Sequence, residues 1–282
     1  MKRIAVIGSG TMGNGIAQVF AMNDYTIYLV DINNELVDRG ISFISNSLDR
    51  LIKKEIIDMA KKISTLANIT KVINHNNIPP DVDLIIEAIY ENKDAKINVF
   101  EDLKKIANSN CIFASNTSSI SITELAHHSE PERFIGMHFM NPVPIMKLVE
   151  VIRGYLTSDK TLNAITELTK KIDKIPVEVN DYPGFISNRI LMPMINEAIY
   201  AYYEGVAGIE EIDNIMKLGM NHPMGPLTLA DFIGLDVCLN IMEVLYNGFN
   251  DSKYRPCPLL KKMVAAGRLG RKSGVGFYEY KK

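Results

Sequence analysis

The stretch that decides the fold is residues 4–13, which read IAVIGSGTMG. Its first four residues are apolar and mostly β-branched, which is typical of a strand buried on both faces of a parallel sheet. The three glycines then have separate steric tasks. Gly8 permits a tight turn, Gly10 lets the backbone approach a ligand closely, and Gly13 lets a following helix pack onto the strand. The pattern predicts a strand, a turn and a helix in that order.

An acidic residue at a suitable distance strengthens this interpretation. Residues 25–30 form a second apolar run that predicts another strand, and Asp31 follows it directly. In a dinucleotide-binding turn, backbone N–H groups at the helix N-terminus hold the pyrophosphate, and the acidic side chain accepts hydrogen bonds from a ribose. A glycine-rich turn in another kind of α/β protein is the alternative. The predicted cofactor site comprises Gly8, Gly10, Thr11, Met12, Gly13 and Asp31.

Composition is that of an ordinary globular protein and argues against several classes of partner. Of the 282 residues, 23% are charged and the net charge is −2, so no basic field would attract nucleic acid or an anionic membrane. No apolar stretch approaches the roughly 18 residues needed to cross a bilayer. The chain enters its first strand almost at once, so we expect no cleavable signal. Three widely spaced cysteines favour buried, reduced thiols in the cytoplasm.

Strand and helix patterns alternate up to about residue 180. After Asp31 an amphipathic pattern extends from residue 36 to about residue 62, which is longer than one crossover helix needs and predicts a projecting helical pair. This alternation predicts a doubly wound, mainly parallel sheet. Further strands are expected at 69–73, 83–88, 111–114, 134–137, 148–152 and 176–179, with helices at 92–107 and 160–171.

Beyond about residue 180 only helical patterns follow. They cover residues 185–203, 209–218, 226–246 and 259–266, and Pro193 should kink the first of these helices. We therefore expect two domains, 1–182 and 183–282. The apolar stripe along residues 186–202 predicts packing against a second subunit or against the first domain.

A hydride-transfer site needs a group that exchanges the alcohol proton, and the five histidines offer few candidates. Only His138 is expected at the end of a buried strand, next to a stiff loop with two prolines. Imidazole ionises near neutral pH, which suits proton exchange. Glu150, on the next strand, could fix the tautomer, but on spacing alone a structural histidine is an equal alternative. The other histidines are expected in turns or polar connections, at positions 75, 127, 128 and 222.

Two further polar segments could contact ligands. Residues 115–119, SNTSS, follow a predicted strand at its carboxyl end, where ligands bind in such sheets. Lys53 and Lys54, on the projecting helical pair, could serve an anionic ligand. A solvated helix face is the alternative for these lysines.

Five longer runs resemble the 3-hydroxyacyl-CoA dehydrogenase family. They occur in the family's order and span nearly the whole chain, which is most similar in length to the stand-alone bacterial 3-hydroxybutyryl-CoA dehydrogenases. The runs are ASNTSS at 114–119, HFMNPVPIMKLVE at 138–150, PGFISNR at 183–189, HPMGP at 222–226 and GRKSGVGFY at 270–278.

The resemblance implies a Rossmann-type sheet with a helical-pair insertion, followed by an all-helical domain for substrate binding and dimerisation. It implies NAD-dependent oxidation of (S)-3-hydroxyacyl-CoA to 3-oxoacyl-CoA by a homodimer, without a metal. His138 would take the 3-hydroxyl proton and Glu150 would orient its ring. Ser118 and Asn188 would hydrogen-bond the substrate oxygens.

Other positions match contacts to the cofactor or to coenzyme A. Ser47 and Lys54 match positions that meet coenzyme A. The family's cofactor-side positions correspond here to Glu91, Lys96, Asn116, Asn141 and Lys272.

Two other classes share parts of this layout. The β-hydroxyacid dehydrogenases combine a similar glycine loop with a helical second domain, but they use a lysine as acid/base, which would leave His138 and Glu150 unexplained. Crystallin-like relatives keep the fold without catalysis, and fold does not fix function. A purely structural protein would have no physical reason to keep Ser118, His138, Glu150 and Asn188 together.

Asp31 predicts NAD rather than NADP. Its carboxylate can accept hydrogen bonds from a ribose diol but would repel a 2′-phosphate, and no arginine follows immediately to neutralise one. We expect the purified protein to show a much higher kcat/KM with NADH than with NADPH. Comparable values for the two cofactors would contradict the assignment.

Overall fold

The computed structural model describes residues 1–280. Its first compact unit, Met1–Asp181, is built on one eight-stranded sheet. The strand order is β3-β2-β1-β4-β5-β6-β7-β8, and the predicted doubly wound sheet is confirmed. The strands are β1 Arg3–Ile7, β2 Thr26–Asp31, β3 Ile69–Ile73, β4 Leu84–Glu87, β5 Ile112–Ser115, β6 Phe134–Phe139, β7 Leu148–Arg153 and β8 Ile175–Asn180.

All neighbouring strands run parallel except β6 and β7, which are antiparallel. Residues 140–147 join these two strands. A parallel crossover takes about a dozen residues or more, so this link is too short for one and the chain must turn back. The order of strands reverses between β1 and β4, and ligands of open α/β sheets bind beyond the carboxyl ends of the strands at such a point.

Six helices connect the strands of the first unit. Five of them begin after an Asn, Asp or Ser whose side chain accepts a backbone N–H of the first turn, a cap worth about 1 kcal/mol. The predicted helical pair is confirmed as α2 and α3. The helices are α1 Thr11–Met22, α2 Asn34–Lys53, α3 Met59–Ala67, α4 Lys93–Ile106, α5 Ile122–His127 and α6 Asp159–Lys171.

The central strands are buried on both faces, as their continuous apolar runs predict. Ile4 and Val6 of β1 pack in one cluster with Ile16 and Phe20 of α1. Ala5 and Ile7 of the same strand point to the other face and are buried as well. Each such aliphatic side chain contributes roughly 1.5–3 kcal/mol by leaving water. This burial fixes the strand ends that carry the polar residues described below.

The second unit, Tyr182–Lys282, has helices as its main regular elements in its described part, with two isolated β-bridges between residues 270 and 279. Its core contains Met192, Ile199, Leu227 and Leu245. Buried Asp231 accepts the backbone N–H groups of Phe277 and Tyr278 and so ties the C-terminal segment to a helix. The helices are α7 Ser187–Tyr203, α8 Ile209–Asn214, α9 Pro226–Ile233, α10 Leu235–Phe249 and α11 Pro258–Ala265.

Three details of the sequence prediction are wrong. The single helix expected at 226–246 is divided at Gly234, whose φ of +105° is outside the helical region. The segment expected as one α-helix at 209–218 is α-helical only from Ile209 to Asn214, and the next five residues, Ile215–Gly219, form a π-helical turn. His127 was expected in a polar connection but ends the short helix α5, which Ser121 caps. Apolar periodicity averages over a window, so it misses one-residue breaks and two-turn helices.

All three cysteines are unpaired and buried, as expected. Burial raises the pKa of Cys111 and of Cys238 to about 12 in each case, so neither thiol forms the nucleophilic thiolate at neutral pH. Within residues 1–280, no helix combines the length and the apolar character that crossing a membrane requires.

The contact between the glycine turn and α1 yields a stability prediction. A Cβ on Gly13 would lie 1.7 Å from the Gly8 carbonyl oxygen, whereas a Cβ on Gly10 would meet nothing within 4 Å. We expect Gly13→Ala to lower the free energy of unfolding by at least about 1–3 kcal/mol, because strand and helix must separate. Gly10→Ala is the matched control and should leave it almost unchanged. Denaturant unfolding of both variants checks this, and equal losses would contradict the steric argument.

Candidate active site

The glycine turn leaves an open surface at the start of α1. Gly8 has a φ of +96°, and a Cβ there would lie 2.6 Å from the carbonyl oxygen of Ala88. Gly10, by contrast, faces open space within its own unit. The helix α1 begins at Thr11, so its first N–H groups belong to Thr11 and Met12. This turn fits a dinucleotide, because its unfilled side faces the positive end of a helix.

Asp31 is held in place by the turn itself. Its Oδ2 accepts the backbone N–H of Ser9 at 2.8 Å and the Ser9 hydroxyl at 2.6 Å. Its Oδ1 accepts the N–H of Ile32 at 2.8 Å. The carboxylate at the end of β2 is therefore fixed beside the glycine turn of β1. Sequence spacing predicts the proximity, but not the part played by Ser9.

His138 and Glu150 are directly opposite one another in the antiparallel pair β6 and β7. The Nδ1 atom of His138 lies 2.7 Å from Oε2 of Glu150, and both side chains are buried. A carboxylate can only accept a hydrogen bond, so Nδ1 carries the hydrogen and Nε2 becomes the basic ring nitrogen. A protonated imidazole would be stabilised by the adjacent negative charge. The pair can therefore take up and return a proton.

Glu91 organises the polar loop that follows β5. Its Oε1 accepts the Thr117 hydroxyl at 2.6 Å and the backbone N–H groups of Ser118 and Ser119 at 3.0 and 3.2 Å. The Ser118 hydroxyl lies 3.3 Å from the same oxygen. Burial by itself would raise the pKa of Glu91. The Lys96 ammonium and these hydrogen bonds lower the pKa by more than burial raises it, so the net shift is downward. An ionised Glu91 thus fixes Ser118.

A buried ion pair lies behind Glu91. The Lys96 ammonium is 2.6 Å from Glu87 Oε1 and 3.3 Å from Glu91 Oε2, and its side chain is only 1% exposed. The Ser115 hydroxyl donates to the other oxygen of Glu87 at 2.6 Å. Burial raises the pKa of Glu87, against the opposing charge of Lys96. Sequence reasoning missed Glu87, although a glutamate in the apolar run DLIIEA is a usable signal.

Asn116 and Asn141 lie on either side of the end of β6. The side-chain oxygen of Asn116 accepts the backbone N–H of Phe139 at 2.9 Å, which joins the ends of β5 and β6. Asn141 is exposed and precedes Pro142 through a cis peptide bond. Both asparagines stand at the carboxyl edge of the sheet, on the same side as the glycine turn.

A cavity of about 1030 Å³ opens between α1, α2 and the loop after β6. Ser47 and Lys54 both line it. Ser47 lies in α2, and Lys54 is the residue just past its end. Sequence reasoning missed three further cationic side chains of the wall: Arg50, which lies in α2 between these two, and Lys147 and Lys174, which lie in other segments.

The two remaining predicted residues belong to the second unit. Asn188 is in the first turn of α7, after the left-handed Phe185 and Gly184. The Lys272 ammonium lies 2.6 Å from Oδ2 of Asp236, which is in α10. Among residues 1–280 there is no group of three His, Cys, Asp or Glu side chains that could bind a metal ion.

Family models match both parts of the chain. The model for the NAD binding domain of 3-hydroxyacyl-CoA dehydrogenase matches residues 3–182, and the model for the C-terminal domain of the same enzyme matches residues 184–280. The chain belongs to the 3-hydroxyacyl-CoA dehydrogenase family. The predicted family, the NAD cofactor and the fold class are confirmed.

Individual relatives are similar over their full length. A Deinococcus radiodurans protein described as a probable 3-hydroxybutyryl-CoA dehydrogenase is 56% identical over 99% of this chain and all of its own. The 3-hydroxybutyryl-CoA dehydrogenase of Bradyrhizobium diazoefficiens is 50% identical over all of this chain and 96% of its own. The crystal structure of (S)-3-hydroxybutyryl-CoA dehydrogenase from Ralstonia eutropha is 52% identical, covers both chains completely and has a TM-score of 0.97.

Proposed function

We propose that this chain oxidises (S)-3-hydroxyacyl-CoA to 3-oxoacyl-CoA with NAD, that 3-hydroxybutyryl-CoA is its main substrate, and that it also catalyses the reverse reduction of acetoacetyl-CoA. The observation that carries the proposal is the buried hydrogen bond between His138 and Glu150 at the sheet edge that faces the glycine turn. The relatives described above are named 3-hydroxybutyryl-CoA dehydrogenases, which supports the choice of this substrate.

In this mechanism His138 Nε2 removes the proton of the 3-hydroxyl group. NAD held at the glycine turn would supply the acceptor for the hydride from C3. Glu150 keeps the hydrogen on Nδ1 and stabilises the imidazolium that forms, because Nδ1 of the charged ring lies 2.7 Å from a carboxylate oxygen. In the reverse direction the imidazolium returns its proton to the alkoxide oxygen.

Ser118 and Asn188 are proposed to donate hydrogen bonds to the substrate oxygens. Donors fixed in advance are effective, because they need no reorganisation as charge develops on the oxygen. The hydrogen bond from the backbone N–H of Ser118 to Glu91 fixes the position of this residue and supports its role. Asn188 is assigned by its match to the family position alone.

On the cofactor side, the turn residues Gly8, Gly10 and Gly13 with the N–H groups of Thr11 and Met12 are proposed to hold the pyrophosphate. Asp31 would accept a ribose hydroxyl. The open space at Gly10 and the fixed carboxylate support both assignments. As the other cofactor-side positions we propose Glu91, Lys96, Asn116, Asn141 and Lys272.

We propose that the protein is a cytoplasmic homodimer joined through the second unit. Large apolar side chains exposed on that unit support the dimer, among them Leu218, Val206 and Ile190. The three unpaired cysteines support a reducing compartment. A monomer mass in analytical ultracentrifugation would contradict the dimer.

The roles of His138 and Glu150 in proton exchange are tested by replacing each ionisable side chain with a neutral amide. General acid/base catalysis contributes roughly 10²- to 10⁴-fold, so His138→Gln should lower kcat for acetoacetyl-CoA reduction by that factor. Glu150→Gln should also lower kcat while NADH binding stays intact. The assay follows loss of NADH absorbance, with fluorescence titration for NADH binding and free acetoacetate as the control substrate. Near-normal kcat in either variant would mean that other residues exchange the proton. If the wild type reduced free acetoacetate as fast as acetoacetyl-CoA, the proposal that the substrate is a coenzyme A ester would be wrong.

Lys54 is proposed to meet a phosphate of coenzyme A, far from C3. Such a contact is alike in ground and transition states, so it lowers KM without raising kcat. A charge-assisted hydrogen bond is worth roughly 1.5–3 kcal/mol, and an exposed one lies at the low end. We therefore expect Lys54→Ala to raise KM for acetoacetyl-CoA about tenfold. Steady-state kinetics at low and high salt would show the defect shrinking as salt rises.

Two comparisons separate this contact from other causes. Lys53→Ala is the matched control, because Lys53 ends α2 but does not line the cavity. A truncated thioester that lacks the nucleotide should be reduced equally by Lys54→Ala and the wild type. An equal loss on that substrate would mean that Lys54 acts through helix stability instead.

A further inference from the structure

Lys174 is a buried lysine that the mechanism above does not use. It lies between α6 and β8, and only 6% of the residue is exposed. Its ammonium donates to the carbonyl oxygen of Val143 at 2.5 Å and to that of Met146 at 2.7 Å. Both acceptors belong to loop 140–147, which joins the strand of His138 to the strand of Glu150. Lys174 thus ties this loop to the far edge of the sheet.

The loop is also packed on the cofactor helix. Val143 is buried against α1, where Gly15 leaves so little room that a Cβ would lie 2.9 Å from the Val143 side chain. The carbonyl of Pro142 accepts the N–H groups of Ile145 and Met146, which makes a tight turn between the two carbonyls held by Lys174. The loop is therefore fixed on one side by α1 and on the other by Lys174.

The charge on Lys174 is costly at this position. Burial lowers the pKa of Lys174, the neighbouring Lys147 lowers it further, and Asp173 only partly opposes them. An apolar side chain would often be at least as stabilising in such surroundings. Without the ammonium, however, the buried carbonyl of Val143 and the part-buried carbonyl of Met146 would lack their donor, and the loop would have to turn them towards water.

We infer that Lys174 is a positioning residue that sets the shape of loop 140–147, and with it the place of Asn141 and the wall of the acyl-CoA cavity. The inference rests on the proposed function, since it assigns to that site a residue on which its geometry depends. Lys174 acts through the loop and need not touch substrate or cofactor. Its effect must therefore persist when the substrate lacks the nucleotide.

The test compares Lys174→Met with Lys147→Met. Both variants remove one positive charge from the cavity wall, but the Lys147 side chain is exposed and its ammonium lies 3.4 Å from the carbonyl oxygen of Asp173, a long hydrogen bond. Misplacing a site by about 1 Å can cost about 10²-fold in rate. We expect Lys174→Met to lower kcat/KM by about 10- to 100-fold for acetoacetyl-CoA and also for a truncated thioester, with no recovery at high salt. Any loss of kcat/KM in Lys147→Met should be smaller, and on acetoacetyl-CoA it should shrink as salt rises.

Hydrogen exchange gives a readout that does not depend on activity. Peptides that contain the amides of Ile145 and Met146 should exchange faster in Lys174→Met than in the wild type, and at the wild-type rate in Lys147→Met. If Lys174→Met does not fold, Lys174→Gln, which keeps a shorter neutral donor, is compared in the same way. Kinetics are measured well below the melting temperature, so that loss of folded protein does not enter.

Each contrary result has a definite meaning. Equal defects in the two variants would assign the effect to cavity charge, and faster exchange with normal kcat/KM would make Lys174 purely structural; both overturn the inference. If the wild type fails to oxidise NADH with acetoacetyl-CoA, the proposed function is wrong. The exchange data would then still decide whether Lys174 holds the loop.

Discussion

The site depends on one buried hydrogen bond, between His138 on β6 and Glu150 on β7. It exists because the chain reverses through a link too short for a parallel crossover, so that these residues become direct cross-strand partners. A histidine and a carboxylate buried separately would each lose hydration without compensation. Buried together, they satisfy one another and fix which ring nitrogen is basic.

The neighbouring strand ends show the same principle on a larger scale. Glu87, Lys96 and Glu91 bring three charges to the carboxyl ends of β4 and β5, and nearly every polar atom there has a partner. Burying such a network rarely adds stability over apolar packing. What it provides is geometry, because Glu91 accepts donors from three consecutive residues and so fixes the loop that carries Ser118.

In the proposed function, the first unit separates proton exchange from the binding of the coenzyme A carrier. The polar pair and the glycine turn lie at the carboxyl edge of the sheet, whereas the large cavity lies between α1, α2 and loop 140–147. Loop 140–147 belongs to both regions, since it leaves the strand of His138 and forms part of the cavity wall. The packing of Val143 against Gly15 and the two carbonyls bound by Lys174 hold that shared element in place. A change at the cavity wall can therefore reach the reacting groups through a short, packed segment.

The sequence by itself determined the glycine turn, the order of strands and helices and the helical pair, because steric limits on glycine and apolar periodicity act over a few residues. It also indicated His138 as the candidate acid/base, a role that stays a prediction. The cofactor site and most of the fold follow from such local rules. Tertiary structure alone decided that β7 runs antiparallel, that Glu150 faces His138, that Glu91 binds the Ser118 loop and that Lys174 holds loop 140–147. It also decided that Gly234 divides one predicted helix into two. These features depend on register and burial between segments far apart in the chain, and no local pattern encodes which side chains those contacts bring together.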